Sequence, residues 1–362
     1  MTPLRIGIDA RELLGDRTGV GRYLGELLAR WVTRRDAAQR CFILYAPEPL
    51  LLSFPPSLVH VRVAPGGRGT LWEQTTLATA LAGDRPDVFF APAYTAPVRL
   101  GLPFVVTVHD VSFSRHPEWF RLREGTRRRL LTRHAARRAA LVLTVSDFSR
   151  HEIQELYGVP PARIQVVPNG VTRRAPPPST RREPLVLYAG SIFNRRRVPD
   201  LLAAFARVAC DVSDARLVIV GDNRTWPRQD LAALARAHGI AERVSLRQYA
   251  ADDELAALYA RASVFVFLSE YEGFGLTPLE ALSAGVPVVV ADTPVAREVC
   301  GEAADLVPVG DVEGTAERIL RILRHPHAAA ERLAHAPAVL ARYSWELAAE
   351  RTLAAIEGVA RR

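Results

Sequence analysis

The chain has 362 residues, of which 49% are hydrophobic and 24% charged, with a formal net charge of +8. That length allows two domains of roughly 150 residues, each with its own core, and that balance is the one found in ordinary globular proteins. All 47 cationic side chains are arginine, and the absence of lysine excludes a lysine Schiff base, a P-loop lysine and a lysine general base. Any phosphate clamp must then use backbone N–H groups or arginine, whose planar fork binds phosphate oxygens in bidentate fashion. GC-rich codon usage accounts for most of the arginine, and the positive charge points to anionic partners without naming them. No stretch of about 18 uncharged apolar residues occurs, so no transmembrane helix is expected. The N-terminus runs directly into a strand-like segment and does not read as a signal peptide. The cysteines Cys41, Cys210 and Cys300 are far apart and odd in number, which fits neither a disulfide framework nor a metal cluster. Their apolar neighbours predict buried structural thiols, and a reducing cytoplasm is the natural compartment.

Short runs rich in Val, Ile, Leu and Phe occur in the first half at 4–9, 41–45, 59–63, 88–91, 104–109 and 141–146. In the second half they occur at 185–190, 217–221, 244–249, 264–269 and 286–292. Strands apolar on both faces belong to parallel sheets, and their alternation with helical segments predicts βαβ units. The expected fold class is α/β, with two Rossmann-like doubly wound domains facing each other across a cleft. The first spans 1–172 and the second spans 185–342. Between them, the proline-rich stretch 171–184 predicts a stiff exposed connector, with a hinge at 173–184. The tail 343–362 has helical spacing of Trp345, Leu347, Leu353 and Ile356. It either packs on the second domain or crosses back to the first. In such sheets ligands bind beyond the carboxyl ends of the strands, so the loops there are where chemistry is sought.

In chain order, the first such loop holds Gly19-Val20-Gly21, ahead of a helix predicted over 22–31. A glycine pair of this kind is as often a plain structural turn as a ligand loop. His109 closes the run 104–109, with Asp110 next; a histidine there is a site candidate, although taken alone it reads rather more readily as a hydrogen-bonded structural residue. From Arg121 to Arg138 the chain is basic and helix-compatible. It reads first as a solvated surface helix, with contact to an anionic membrane as the alternative. After the first strand of the second domain come Gly190-Ser191-Ile192-Phe193-Asn194-Arg195-Arg196-Arg197. Adjacent arginines beyond a tight turn can clamp a diphosphate and stabilise its leaving charge; a solvated basic loop is the competing reading. Gly221-Asp222-Asn223 follows the next strand, where a nucleobase would lie. Asp252-Asp253-Glu254 reads as the acidic first turn of a helix.

The strongest signal is the segment 269–285. Glu272-Gly273-Phe274-Gly275 makes a glycine-rich turn after an apolar strand, and Leu276 and Pro278 then open a helix. Glycines allow close backbone approach, and free N–H groups at the helix start can donate to a diphosphate. Glu272 and Glu280, with seven residues between them, bracket this turn. One carboxylate can bind sugar hydroxyls and the other ribose hydroxyls.

Set in Tyr-Glu-Gly-Phe-Gly-Leu-Thr-Pro-Leu-Glu-Ala, Glu272 and Glu280 resemble the E-x7-E signature of family 4 (group 1) retaining glycosyltransferases of the GT-B fold. The resemblance extends over nearly the whole chain. Further matching segments are Gly7-Ile8-Asp9-Ala10-Arg11, Thr18-Gly19-Val20-Gly21-Arg22-Tyr23, Leu71-Trp72-Glu73-Gln74 and Val167-Pro168-Asn169-Gly170, with the stretches 106–110, 146–150 and 188–202. It implies that Glu272 contacts the donor sugar, that Glu280 holds the ribose, and that amides of Phe274, Gly275 and Leu276 face the diphosphate. It implies that the second domain binds the nucleotide sugar and the first serves the acceptor, that the loop of Gly19 and Gly21 covers the diphosphate, and that His109 contacts the transferred sugar beside Asp110, which with Tyr94 is an acceptor-side candidate. Arg195 and Arg196 match the family's Arg-Lys pair, whereas Arg197 stands where Asn or Gly is common and Ser191 where some relatives carry Arg.

The implied reaction moves a hexosyl group from a nucleotide-diphosphate sugar, GDP-mannose or a UDP-hexose, to an acceptor hydroxyl with retention at the anomeric carbon. The acceptor is expected to be a glycan, a lipid-linked sugar or a small natural product. No cofactor is expected, the nucleotide sugar being a co-substrate. No D-x-D triplet occurs, so no metal is expected and the arginines take the place of the cation. The intact glutamate pair argues against an epimerase of the same fold, and the lack of lysine against a pyridoxal-phosphate phosphorylase. A nucleotide-sugar binder without turnover is a second class. A nucleic-acid binder is the reading of charge alone; no recognised motif supports it, so no nucleic acid is expected. The place of action is expected to be cytoplasmic, free or at the inner face of the membrane.

Overall fold

The computed structural model describes residues 2–15, 19–172 and 182–361. The connector expected at 173–184 lies outside the described residues as far as 181, and so does Thr18 of the glycine-containing segment. The chain divides into two compact units. Unit 1 comprises Met1–Pro117, Leu122–Gly170 and Trp345–Arg362; unit 2 comprises Glu118–Arg121 and Val171–Ser344.

Unit 1 holds the strands β1 (Leu4–Asp9), β2 (Arg40–Ala46), β3 (Val59–Val63), β4 (Val88–Ala91), β5 (Phe104–Thr107), β6 (Leu141–Thr144) and β7 (Ile164–Val166). They form one parallel sheet in the order β3-β2-β1-β4-β5-β6-β7. Unit 2 holds β8 (Glu183–Ala189), β9 (Arg216–Val220), β10 (Val244–Arg247), β11 (Ala262–Phe267), β12 (Val288–Ala291) and β13 (Ala304–Val307). These too are all parallel, in the order β10-β9-β8-β11-β12-β13. Each sheet is wound outward in both directions from its first strand, β1 or β8, as a Rossmann-like fold requires.

The apolar runs explain this arrangement. Ile6 pairs with Phe42 on one side and Val88 on the other, and all three are fully buried. Removing such side chains from water stabilises by roughly 1.5–3 kcal/mol each. The helix Gly19–Trp31 lays Tyr23, Leu24, Leu27, Leu28 and Trp31 onto the sheet at helical spacing. The helix Trp345–Ala360 belongs to the same core, adding Trp345, Leu353 and Ile356. Its Ala349 carbonyl accepts a hydrogen bond from the Trp31 indole at 2.8 Å.

Several expectations change. β7 and β13 were not predicted; β7 is only three residues long and β13 carries Asp305 in its middle. That carboxylate is buried against Arg321 at 2.7 Å and Arg332 at 3.0 Å, so a cluster of three charges replaces the apolar pattern. The first helix begins at Gly19 rather than Arg22, which places Gly19 and Gly21 inside its first turns. β5 stops at Thr107 and β11 at Phe267, so His109 and Ser269 lie in the loops beyond their strands. Cys300 is buried as expected, but Cys210 is exposed. Its helix, Val198–Asp211, buries Leu201, Leu202, Phe205, Val208 and Ala209, and residue 210 falls on the opposite face.

Candidate functional site

In unit 2 the site grows from the ends of β8 and β11. After β8 the chain turns at Gly190, whose φ of 135° suits glycine alone among common residues. A Cβ there would also meet Arg196 Nη1 at 2.6 Å. The guanidinium of Arg196 therefore lies across the turn, and its Nη1 donates to the Ser191 carbonyl at 2.7 Å. Its Nε donates to Glu272 Oε1 at 2.9 Å, and that oxygen also accepts from Ser269 Oγ at 2.9 Å. The Phe267 ring lies under the same guanidinium at 5.0 Å. Burial works against the charge on Arg196, but Glu272 and Tyr188 outweigh it and push its pKa upward, so the side chain stays cationic.

The three arginines separate in role. Arg195 packs over the Phe193 ring at 4.5 Å and approaches Glu272 at 4.0 Å. Its Nε is buried without a hydrogen-bond acceptor. Arg197 turns away, bonding Asp200 at 2.6 Å and Glu270 at 3.2 Å. Its φ is 49°, the left-handed region that Asn and Gly enter most easily. The departure from the family pattern at 197 therefore falls on a backbone conformation, and the clamp candidates Arg195 and Arg196 stay together.

The glycine-rich turn after β11 reaches Gly275, left-handed at φ 92°, which is the N-cap of the helix Leu276–Ser283. The first amides of that helix belong to Leu276 and its neighbours, and Glu280 is buried on it at 3% exposure. Phe274, Gly275, Ser269 and Glu272 line one small cavity. A larger cavity of about 530 Å³ opens at the carboxyl ends of β9 and β10, lined by Gly221, Asp222, Asn223, Gln229, Arg247 and Gln248. It joins the arginine loop through the backbone: Ile192 N donates to Asp222 O at 2.8 Å, and Trp226 N to Asn194 Oδ1 at 2.6 Å. Asp222 itself is paired with Arg224 at 2.8 Å. Asp252, Asp253 and Glu254 form the first turn of the helix Asp252–Arg261, as their sequence suggests.

Unit 1 carries the other candidates. His109 lies just past β5, between the rings of Tyr23 at 5.0 Å and Tyr94 at 5.5 Å. Burial pushes its pKa down, against the opposing pull of the Pro92 carbonyl and Asp110, and keeps the ring neutral. His109 Nε2 lies 2.9 Å from Pro92 O. A carbonyl only accepts, so the proton sits on Nε2 and Nδ1 is left as an acceptor. Asp110 accepts from Tyr94 Oη at 3.1 Å and from Ser112 N at 2.8 Å.

One cluster near this point joins two segments that the sequence alone does not connect. Arg11 bonds both Asp9, at 2.9 Å, and Glu73, and both carboxylates are 2% exposed. Burial pushes the Asp9 carboxyl up to about 6, with Arg11 opposing and Glu73 adding. The segments Asp9-Ala10-Arg11 and Trp72-Glu73-Gln74 were the available signal, since charged residues beside apolar runs are seldom buried without a partner. Among the described residues, no group of three His, Cys, Asp or Glu side chains is arranged to hold a metal ion. No described helix is long and apolar enough to cross a membrane.

Arginines bonded to a carboxylate on a glycine-rich turn, at the carboxyl end of a doubly wound sheet, fit the class of enzymes that transfer sugars. The family described as Glycosyl transferases group 1 matches residues 172–336, and Glycosyltransferase Family 4 matches 17–175. The chain belongs to the group 1, family 4 glycosyltransferases. It is 28% identical to the O-antigen chain mannosyltransferase B of Escherichia coli over 93% of this chain and 95% of that protein. It is 30% identical to the glycogen synthase of Mycobacterium tuberculosis over 70% of this chain, spanning 63% of that protein's length. Among solved structures, Anabaena Alr3699/HepE, in complex with UDP and glucose, superposes with a TM-score of 0.77 at 19% identity. The match covers 97% of this chain and 98% of that one and places the fold in the GT-B class.

Proposed function

We propose that this enzyme transfers a hexosyl group from a nucleotide-diphosphate sugar to an acceptor hydroxyl, with retention and without a metal ion. The carrying observation is the direct contact of Arg196 with Glu272 beside Gly190, with Arg195 next to them. A diphosphate entering here would meet two fixed cations. Departure of the nucleoside diphosphate builds negative charge that these arginines stabilise, the part a metal plays elsewhere. The lack of a D-x-D triplet supports that reading. Glu272 binds sugar hydroxyls, Glu280 the ribose, and the cavity bounded by Asp222 takes the base. His109 contacts the transferred sugar, its Nδ1 accepting from a hydroxyl. No side chain here is assigned as a covalent nucleophile; attack on the face the leaving group departs from, assisted by its phosphate, gives retention.

The mannosyltransferase relative supports a mannosyl group as the one transferred, with GDP-mannose the donor in this reading, and the UDP complex of the Anabaena neighbour supports a UDP-hexose. The acceptor is a glycan or lipid-linked sugar. The helix Leu122–Arg138 supports a peripheral contact with an anionic membrane. It exposes Leu122 (84%) and Leu130 (58%) among its arginines. Flotation with phosphatidylglycerol vesicles but not phosphatidylcholine vesicles, lost in Leu122→Asp with Leu130→Asp, tests this contact.

The donor is tested by thermal unfolding against UDP-, GDP-, ADP- and TDP-sugars with EDTA present. One base class should raise the midpoint, because binding to the folded state stabilises by mass action, and Glu280→Ala should abolish the rise. Stabilisation that needs a divalent cation would overturn the metal-free clamp.

A further inference from the structure

We infer that the hydrogen bond from Thr95 to Glu73 holds Tyr94 in its left-handed backbone conformation and so sets the side chains of His109 and Asp110. Glu73, Thr95 and Tyr94 are then positioning residues of this site. The inference rests on the reading of His109 as a sugar-contacting residue.

Tyr94 has φ 65°, a region that residues other than glycine, and bulky ones above all, avoid. Such an outlier persists only where its surroundings over-determine it. Here the consequence of the conformation is visible. Tyr94 N donates to Thr107 O at 2.9 Å, at the end of β5 and two residues from His109. The Tyr94 ring meets the His109 imidazole at 5.5 Å and 63°, and its hydroxyl donates to Asp110 Oδ2 at 3.1 Å. One strained residue thus touches both candidates of this loop. An extended conformation at residue 94 would swing the ring away from both.

What holds the strain lies on the other side of the chain. Thr95 Oγ1 donates to Glu73 Oε2 at 2.6 Å, next to the tight turn in which Thr95 N bonds Ala93 O at 2.7 Å. Gln74 continues the grip, accepting from Val98 N at 2.8 Å and donating to Ala96 O at 3.3 Å. Glu73 and Gln74 open the π-helical segment Glu73–Leu77, a local widening that recurs at functional sites. A lone carboxylate 2% exposed would be costly to bury; Arg11 neutralises it and Gln74 Nε2 donates to its second oxygen at 2.7 Å. The charge makes the bond from Thr95 stronger than one between neutral groups. Held by Arg11, Gln74 and Thr95 at once, the Glu73 carboxylate is fixed, which a positioning role demands.

Thr95→Val removes the bond at nearly constant volume, and Thr95→Ser keeps it. Turnover is read as release of GDP from GDP-mannose or UDP from UDP-glucose, whichever donor raises the unfolding midpoint. The valine variant should lose roughly tenfold in kcat. The midpoint rise with free GDP or UDP should stay as in the wild type, and serine should restore kcat. In histidine-labelled protein, NMR should show the single Nε2–H tautomer of His109 giving way to a mixture in the valine variant alone. A valine variant with lowered stability but unchanged kcat and unchanged His109 resonances overturns the inference. Should the wild type turn over neither donor, the functional reading fails, and the His109 resonances still decide this one. If Thr95→Val does not fold, Thr95→Ala removes the same bond with a smaller side chain, and unchanged kcat and His109 resonances there overturn it equally.

Discussion

The candidate groups of the two units are held in opposite ways. In unit 2 they are charged and hold one another: Arg196 and Glu272 bond directly, on loops that end neighbouring strands. In unit 1 the central group is a neutral imidazole between two tyrosine rings, and the charges that fix its surroundings are buried behind it. A site that must meet a diphosphate benefits from cations fixed before the ligand arrives, because no reorganisation is then needed. A group that must recognise a hydroxyl benefits from one fixed tautomer, which burial and a backbone carbonyl provide.

The largest expected effect breaks the first half of that contrast. Arg196→Ala should lower turnover by about a hundredfold or more and abolish the stabilisation by nucleotide sugar, read by kinetics and thermal unfolding. It leaves Glu272 without its main partner, so Arg196→Gln, which keeps a donor, should lose less. His109→Ala should cost about tenfold to a hundredfold in kcat while free UDP or GDP still raises the midpoint. A midpoint rise lost in both variants would erase the distinction between the two units.

Gly190→Ala comes next. The added Cβ crowds Arg196 Nη1 at 2.6 Å in a left-handed backbone, so stability should fall by roughly 1–3 kcal/mol and donor affinity with it. The smallest effect concerns pH. The folded-state pKa of His109 lies below its ordinary 6.5, so as pH falls through that value the unfolded chain takes up the proton first and stability declines. Asp9 acts in the reverse sense. Its pKa is raised from 3.8 to about 6, so between those values the folded chain binds the extra proton and stability rises as pH falls. Unfolding curves of His109→Gln and Asp9→Asn, compared with wild type from pH 4 to 7, should each lose one of these opposing slopes.

The parallel strands were legible because each is a short apolar run in a fixed alternation with helices. β13 was not, since Asp305 interrupts it and its partners Arg321 and Arg332 lie 16 and 27 residues further on. The same rule separates the sites. Glu272 and Glu280 fall within one turn and one helix, so their spacing alone carries the signal. Arg11, Glu73 and Thr95 are 62 and 22 residues apart, and only the folded sheet brings them together. The strain at Tyr94 and at Arg197 leaves no mark in composition, because neither is a residue that usually signals a left-handed turn.

The return of the helix Trp345–Ala360 to the core of unit 1 has a consequence for the order in which the protein is made. A ribosome delivers the seven strands of unit 1 first, but Trp31 and its neighbours lack their covering helix until all of unit 2 has been synthesised. At ~5–20 residues per second that delay is on the order of ten seconds or more. The first-made unit is thus the last to be completed, and a nascent chain paused before Trp345 would carry an open apolar face for chaperones to guard.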